Sequence, residues 1–298
     1  MPELKFSDDW LALRAPADAA ARADRLVQHL RALPTAADAV LEVLDLGCGT
    51  GANLRHLAPL LARTGHLRQH WCCVDQDAAL LARLPARTAR WAETTDLCCT
   101  PRAHGLCLEG AGWRAEVDVQ RLDLHAALAD LPLPAAGLVT ASALLDLVSG
   151  PWLQGLLARC RHAGCGLLFA LSYDGRCSLS PAHALDAAVI DLVNRHQRTD
   201  KGFGPALGPR AADDAAARCR ALGWRVEVAP SDWVLGPTDA PMQRALLTGW
   251  HQAAAELAAG EGAGPAAGLD AWLTARLAWV DAGTSVLRIG HLDLVALP

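Results

Sequence analysis

The chain has 298 residues, enough for one enlarged α/β domain, and at 52% hydrophobic residues it can bury a large core. A formal net charge of −5 argues against a nucleic-acid-binding surface, which shows as a strong basic excess. No run of roughly eighteen apolar residues is present, and the charges from Lys5 to Arg25 break any secretory leader, so a cytoplasmic protein without a membrane span is expected.

Residues 8 to 33 are rich in Ala, Arg and Leu at helical spacing, and Pro34 closes them, which predicts one or two leading helices. The run from Leu41 to Leu46 reads as a buried strand. Gly47, Gly49 and Gly51 follow at alternate positions, then a helix carrying Leu54, Leu57, Leu60 and Leu61 to about Arg63. A second strand over His70–Val74 ends in Asp75-Gln76-Asp77 before a helix that starts at Ala78. Leu106–Leu108, Gly110–Gly112 and Val117–Val119 predict a hairpin leading into a strand over Ala115–Leu124, with Asp123 at its end. Gly137–Ala141 is the next strand, followed by a helix through Cys160, and Gly166–Ser172 is another. This rhythm is that of a parallel doubly wound sheet.

Residues 174–210 interrupt the rhythm with an insertion that ends in the run Gly202–Pro209. A helix (Ala211–Leu222) and a strand (Trp224–Ala229) resume it. Two helical stretches separated by the Gly260–Gly268 loop lead to a terminal strand, Ser285–Leu297. Ten cysteines invite a disulfide or zinc reading, but the cluster Cys98-Cys99-x4-His104-x2-Cys107 lacks a paired C-x-x-C. Reduced cysteines and no metal are expected.

The three alternate glycines make a tight turn whose backbone can approach a ligand closely. Gly47-x-Gly49-x-x-Ala52 also fits the looser fingerprint of nicotinamide and flavin folds, so glycine spacing leaves the cofactor open. Asp75, 24 residues after Gly51, ends the second strand, where an acid accepts hydrogen bonds from both ribose hydroxyls in either class.

Asp45, placed on the first strand, helps to choose between cofactor classes, and Asp123 discriminates more. The stretch Leu41–Asn53 resembles the first motif of class I S-adenosylmethionine-dependent methyltransferases, close to hhDhGxGxG, and Asp45 with Gly47, Gly49 and Gly51 fits it without a gap. Asp123-Leu124 falls where that family holds the adenine edge. The resemblance runs from about Leu41 to Ser172 and more weakly to the end. It implies an α/β fold with a doubly wound, mostly parallel seven-stranded sheet, an antiparallel terminal strand, leading helices and a helical insertion. It divides the single domain 1–298 into leading helices (1–36), a cofactor-binding half (37–173), a lid-like insertion (174–210) and the rest of the sheet (211–298). S-adenosyl-L-methionine is the implied cofactor. Asp45, Gly47, Cys48, Gly49, Gly51 and Asn53 would hold it from the first motif, Asp75 and Gln76 from the second, Asp123, Leu124 and Ser142 from those beyond.

Thr140–Asp146 takes the place of the family's fourth motif and lacks the Asn/Asp-Pro-Pro-aromatic pattern of amino DNA methyltransferases. A small-molecule acceptor is therefore expected, with no nucleic acid or membrane partner. Asp146, Tyr173 and His196 are the candidate bases if the acceptor must lose a proton. Rare residue types point to the acceptor site: Tyr173 is the only tyrosine, Phe203 one of three phenylalanines, and Lys201 one of two lysines. Arg176, Asn194 and His196 lie beside them in sequence, and the basic residues suit an anionic acceptor. Other readings are an adenosylmethionine-binding enzyme of different chemistry, a non-catalytic regulatory scaffold, and an NAD-dependent oxidoreductase. The intact glycines and Asp75 weigh against a scaffold.

Overall fold

The computed structural model describes residues 7–33, 40–261 and 268–298. Lys5, Phe6, Pro34 and most of the Gly260–Gly268 loop lie outside the described residues. The elements in order are α1 (Asp8–Ala21), β1 (Leu41–Leu46), α2 (Ala52–Arg63), β2 (Arg68–Asp75), α3 (Ala78–Thr94), β3 (Cys98–Arg102), β4 (Gly105–Gly110), β5 (Trp113–Arg121) and β6 (Leu138–Ser142). Then come α4 (Gly150–Ala163), β7 (Gly166–Ser180), α5 (Asp186–His196), α6 (Ala211–Ala221), β8 (Arg225–Pro230), β9 (Trp233–Leu235), α7 (Ala240–Glu261), α8 (Leu269–Asp281) and β10 (Val286–Leu297).

Local chemistry sets the helix starts. Ser7, Asp77 and Ser149 each accept a hydrogen bond from the first turn of α1, α3 and α4, and Gly164 closes α4 in a left-handed conformation. The second leading helix is a 3₁₀ helix over Asp24–Ala32 that buries Leu26, Val27 and Leu30.

The sheet runs β3-β4-β5-β2-β1-β6-β7-β10-β8, with β9 on β10. The centre, β5-β2-β1-β6-β7, is parallel, and only β4 and β10 run against the rest. Alternation along β1 sends Leu41 and Val43 to one face, packed with α2, α3 and the 3₁₀ helix, and Leu44 and Leu46 to the other, packed with α4. Both faces are covered, as a parallel sheet requires.

Two expectations need correction. Among the described residues the sheet has ten strands, not seven, because the β3–β4 hairpin extends one edge and β9 adds to β10. The strand expected to end at Ser172 continues to Ser180. There β7 pairs with β10 from Val286 to Ile289. On this part of the sheet lies a third core in which Tyr173, Leu287 and Ile289 meet α5, α7 and α8. Burial of Tyr173 against those helices keeps the chain extended past the point where the apolar run in the sequence stops.

Among the described residues no helix is long and apolar enough to cross a membrane.

Candidate functional site

A cleft of about 340 Å³ opens at the carboxyl ends of β1, β2 and β6. Ligands in open α/β sheets bind at this edge. Its floor is the glycine turn with Asn53, Asp75, Gln76, Leu124 and Ser142; α1 covers it with Leu11, Arg14 and Asp18; and the loop after α5 adds Lys201 and Phe203.

The turn needs its glycines for two distinct reasons. Gly51 has φ +82°, and a Cβ there would lie 2.8 Å from Leu84 Cγ of α3, so the turn could not pack. Gly49 has φ +52°, and its Cβ would reach into the gap beneath α1, 3.3 Å from Leu11 Cδ1.

Asp75 fastens the turn. Its Oδ2 accepts from the Gly49 N–H at 2.8 Å and its Oδ1 from the Asp77 N–H at 2.9 Å. Each oxygen keeps a further acceptor position for a hydroxyl. Burial raises its pKa against the lowering effect of these N–H groups.

Beneath the turn Asp45 is fully buried. Its Oδ1 accepts from Asn53 Nδ2 at 2.7 Å, while Oδ2 has no hydrogen-bond partner among the described residues. Burial pushes this carboxyl up to about 7. Asn53 also donates to Thr140 Oγ1 at 3.1 Å and accepts from Arg22 at 2.7 Å, and Arg22 donates to Ser142 Oγ at 2.8 Å. Asp45, Asn53, Arg22 and Ser142 thus form one network below the cleft. Arg22 is a functional candidate that sequence reasoning missed, since nothing local marks it among the arginines of the leading segment.

The far end is built differently. Asp146 is 8% exposed, with Oδ1 unpartnered among the described residues. Burial pushes it up to about 6, opposed by the backbone N–H groups of Asp146 and Tyr173 and by the charges of Arg14 and Lys201. Arg14 is held by both oxygens of Asp18, at 2.8 and 3.1 Å, and lies 5.0 Å over the Trp233 ring. Phe203 stands edge-on to Trp152 and His125. Lys201 Nζ lies 3.4 Å from His196 Nδ1, and His196 Nε2 lies 3.2 Å from Glu256 Oε2.

Cys48, Gln76, Leu124 and Ser142 join the glycine turn on the cleft wall. Asp123 sits past the end of β5, exposed, and accepts from the N–H groups of His125 and Ala126. Tyr173 is 7% exposed in the third core, and its hydroxyl donates to Asn194 Oδ1 at 2.7 Å. The pair ties α5 to β7, and neither residue lines the cleft. Arg176 pairs at the surface with Asp174 and Asp232. The covering residues Leu11, Arg14 and Asp18 were also missed, because α1 reaches the cleft by tertiary packing alone. Among the described residues no cluster of His, Cys, Asp and Glu is arranged to hold a metal ion.

No protein-family model and no curated protein matches the sequence. Solved structures do match in fold. A putative methyltransferase from Bacillus halodurans is 14% identical, with a TM-score of 0.47 over 92% of this chain and 96% of that one. A phosphoethanolamine N-methyltransferase from Haemonchus contortus, bound to phosphomonomethylethanolamine and S-adenosylhomocysteine, is 14% identical, with a TM-score of 0.43 over 99% of this chain but 58% of that one. A cyclopropane synthase from Mycobacterium tuberculosis is 11% identical, with a TM-score of 0.43 over 100% and 87%. At such low similarity, what this chain does must be read from its own residues. The solved structures it is similar to include a methyltransferase bound to S-adenosylhomocysteine and, from Aquifex aeolicus, a protein described as an S-adenosylmethionine-dependent methyltransferase.

Proposed function

We propose that the chain transfers a methyl group from S-adenosylmethionine to a small-molecule acceptor. The observation that carries this reading is the pairing, in one cleft, of the left-handed glycine turn with Asp75, whose two oxygens each retain an acceptor position. The residues fit the donor. Asp75 suits the ribose hydroxyls, Leu124 an apolar base face, and the space above Gly49 a ligand backbone that a side chain would displace. Asp45, Asn53, Arg22 and Ser142 form a polar base for the amino-acid end. The donor supplies an electrophilic methyl group; the protein contributes alignment and exclusion of water. For the second task α1 and the loop bearing Lys201 and Phe203 cover the cleft.

Ligand pockets run from about 300 to 1,000 Å³. At about 340 Å³ the cleft is near the lower bound, so donor and acceptor together fit only if the acceptor is small. Lys201 supports an anionic acceptor, yet Asp146 and Glu256 face its ammonium and Asp18 holds Arg14, so the cations at this end are matched by anions. The reading we favour is a small acceptor recognised by the atom it presents for methylation rather than by net charge.

Calorimetry with S-adenosylhomocysteine and with NAD tests the donor. Binding of the first and not the second is expected; preference for NAD would overturn the reading. Screening small amines, phenols and carboxylates for transfer of a labelled methyl group then identifies the acceptor.

A further inference from the structure

Methyl transfer that relies on positioning alone makes no use of the file of ionisable side chains at the far end of the cleft. Lys201 lines the cavity, its Nζ contacts His196 Nδ1 at 3.4 Å, and His196 Nε2 contacts Glu256 Oε2 at 3.2 Å. The His196 side chain is 25% exposed and that of Glu256 is 56% exposed, so the file runs from the cavity to solvent. Three elements assemble it: the loop after α5, the last turn of α5, and α7.

One protonation pattern satisfies both contacts. A neutral His196 accepts from Lys201 at Nδ1 and donates its Nε2–H to Glu256. A histidinium has no acceptor to offer the lysine. The remaining charged groups that face the file are Asp146, which faces Lys201 from the turn after β6, and Arg14 of α1, which faces Asp146. Gln252 donates to the other oxygen of Glu256 at 3.1 Å. Burial, and then the charge of Lys201, lowers the pKa of His196, which favours the neutral imidazole this pattern needs; burial lowers that of Lys201 as well.

We propose that Lys201, His196 and Glu256 conduct to solvent the proton that an N–H or O–H acceptor loses on methylation. The proposal rests on the methyl-transfer reading and narrows its acceptor to that class. A bond forms between the acceptor nitrogen or oxygen and the methyl carbon. The sulfur–methyl bond breaks with its electron pair left on sulfur, and the acceptor proton passes to the Lys201 nitrogen, replacing the proton that nitrogen gives to His196. The lysine hands a proton to His196 Nδ1, the imidazole releases its Nε2 proton to Glu256, and Glu256 gives it to water. His196, partly exposed, regains its first tautomer by exchange with solvent.

The chain has only two lysines, Lys5 and Lys201, so lysine-labelled protein gives two side-chain signals, and Lys201→Met assigns them. Nuclear magnetic resonance on the full chain, alone and with S-adenosylhomocysteine, then reads the file without a known acceptor. Lys201 should titrate below an ordinary lysine, and His196 should carry its proton on Nε2. Exchange of the Lys201 Nζ protons with solvent should slow about tenfold or more in Glu256→Gln and in His196→Gln. S-adenosylhomocysteine affinity should be unchanged in both variants. An ordinary lysine titration, or exchange indifferent to both substitutions, would overturn the conduit. Failure of the wild type to bind S-adenosylhomocysteine would instead overturn the methyl-transfer reading, while the exchange data would still report on the file.

Discussion

At the end of the cleft proposed for the donor, most of the floor comes from one stretch, Gly47 to Asn53, joined by Asp75 and Gln76, with Leu124 and Ser142 beyond. At the other end, Asp146, Lys201, His196 and Glu256 come from four segments spread over more than a hundred residues. The first end is a property of a turn: three left-handed glycines and one carboxylate that accepts from the Gly49 N–H. The acceptor end exists only once α5 and α7 have packed on the ribbon of β7 and β10. Changes at the first should therefore act locally and strongly on a ligand, and changes at the second should act through side-chain ionisation.

The largest effect is expected from Gly49→Val. A β-branched residue at φ +52° is strained, and its side chain would fill the gap beneath Leu11. Affinity for S-adenosylhomocysteine should fall about a hundredfold or more, roughly 3 kcal/mol. Circular dichroism should show the fold retained. Unchanged calorimetric affinity would mean that the donor does not lie over the turn, and the contrast between the two ends would collapse.

Asp75→Ala follows. It removes the acceptor of the Gly49 and Asp77 N–H groups as well as the proposed ribose partner. The loss of hydrogen bonds to a charged group predicts about 1.5–3 kcal/mol weaker binding, on the order of ten- to a hundredfold. A structure of the complex with the ribose hydroxyls on another acid would reassign that role.

The same contrast explains what the sequence revealed. The strand, the glycine turn and Asp75 could be read because periodicity and turn chemistry are local. Lys201 and Phe203 stood out as rare residue types and do line the cleft, but Glu256, Arg22 and Arg14 carried no local signal. Their roles depend on which helix packs where. Strand length failed for a related reason: nothing in Tyr173–Ser180 announces a partner, since that partner is β10, more than a hundred residues on. The hairpin expected over Leu106–Val119 is formed by β4 and β5, whereas β3, which pairs with β4 at the sheet edge, was not foreseen.

A third prediction concerns Asp45, whose buried carboxyl is raised to about 7. An unfolded aspartate titrates near 4, so between about pH 4 and 7 the native state holds a proton that the unfolded chain has lost. Stability is fully expressed below that window and falls as pH rises through it, by up to about 1.4 kcal/mol per pH unit. Asp45→Asn removes this titration, and its stability should depend less steeply on pH. Asp146, raised to about 6, sustains part of the slope, so the curve should flatten without becoming level. Urea melts from pH 4 to 8 measure this. Parallel curves for variant and wild type would show that Asp45 is already ionised at low pH.

The smallest effect is expected at Tyr173, where sequence and structure point in different directions. Its residue type and its place after a strand marked it for chemistry, whereas its hydroxyl is spent on Asn194 and its ring is packed among α5, α7 and α8. Burial raises the pKa of the phenol, which makes it a poor base near neutrality. Tyr173→Phe removes the hydrogen bond to Asn194 Oδ1 and the weaker contact with Cys177 Sγ at 3.4 Å, a loss of about 1 kcal/mol in stability. The Asn194 amide keeps its own bond to the Gly175 carbonyl, so α5 should stay in place and the cleft should keep its shape. S-adenosylhomocysteine affinity should be unchanged, and with any acceptor the wild type methylates, turnover should stay within about twofold. The reverse pattern, unchanged stability with turnover reduced by about a hundredfold, the range of a lost general base, would move Tyr173 into the acceptor end. That end would then be a site completed only when the β7–β10 ribbon shifts, not the one seen behind Lys201.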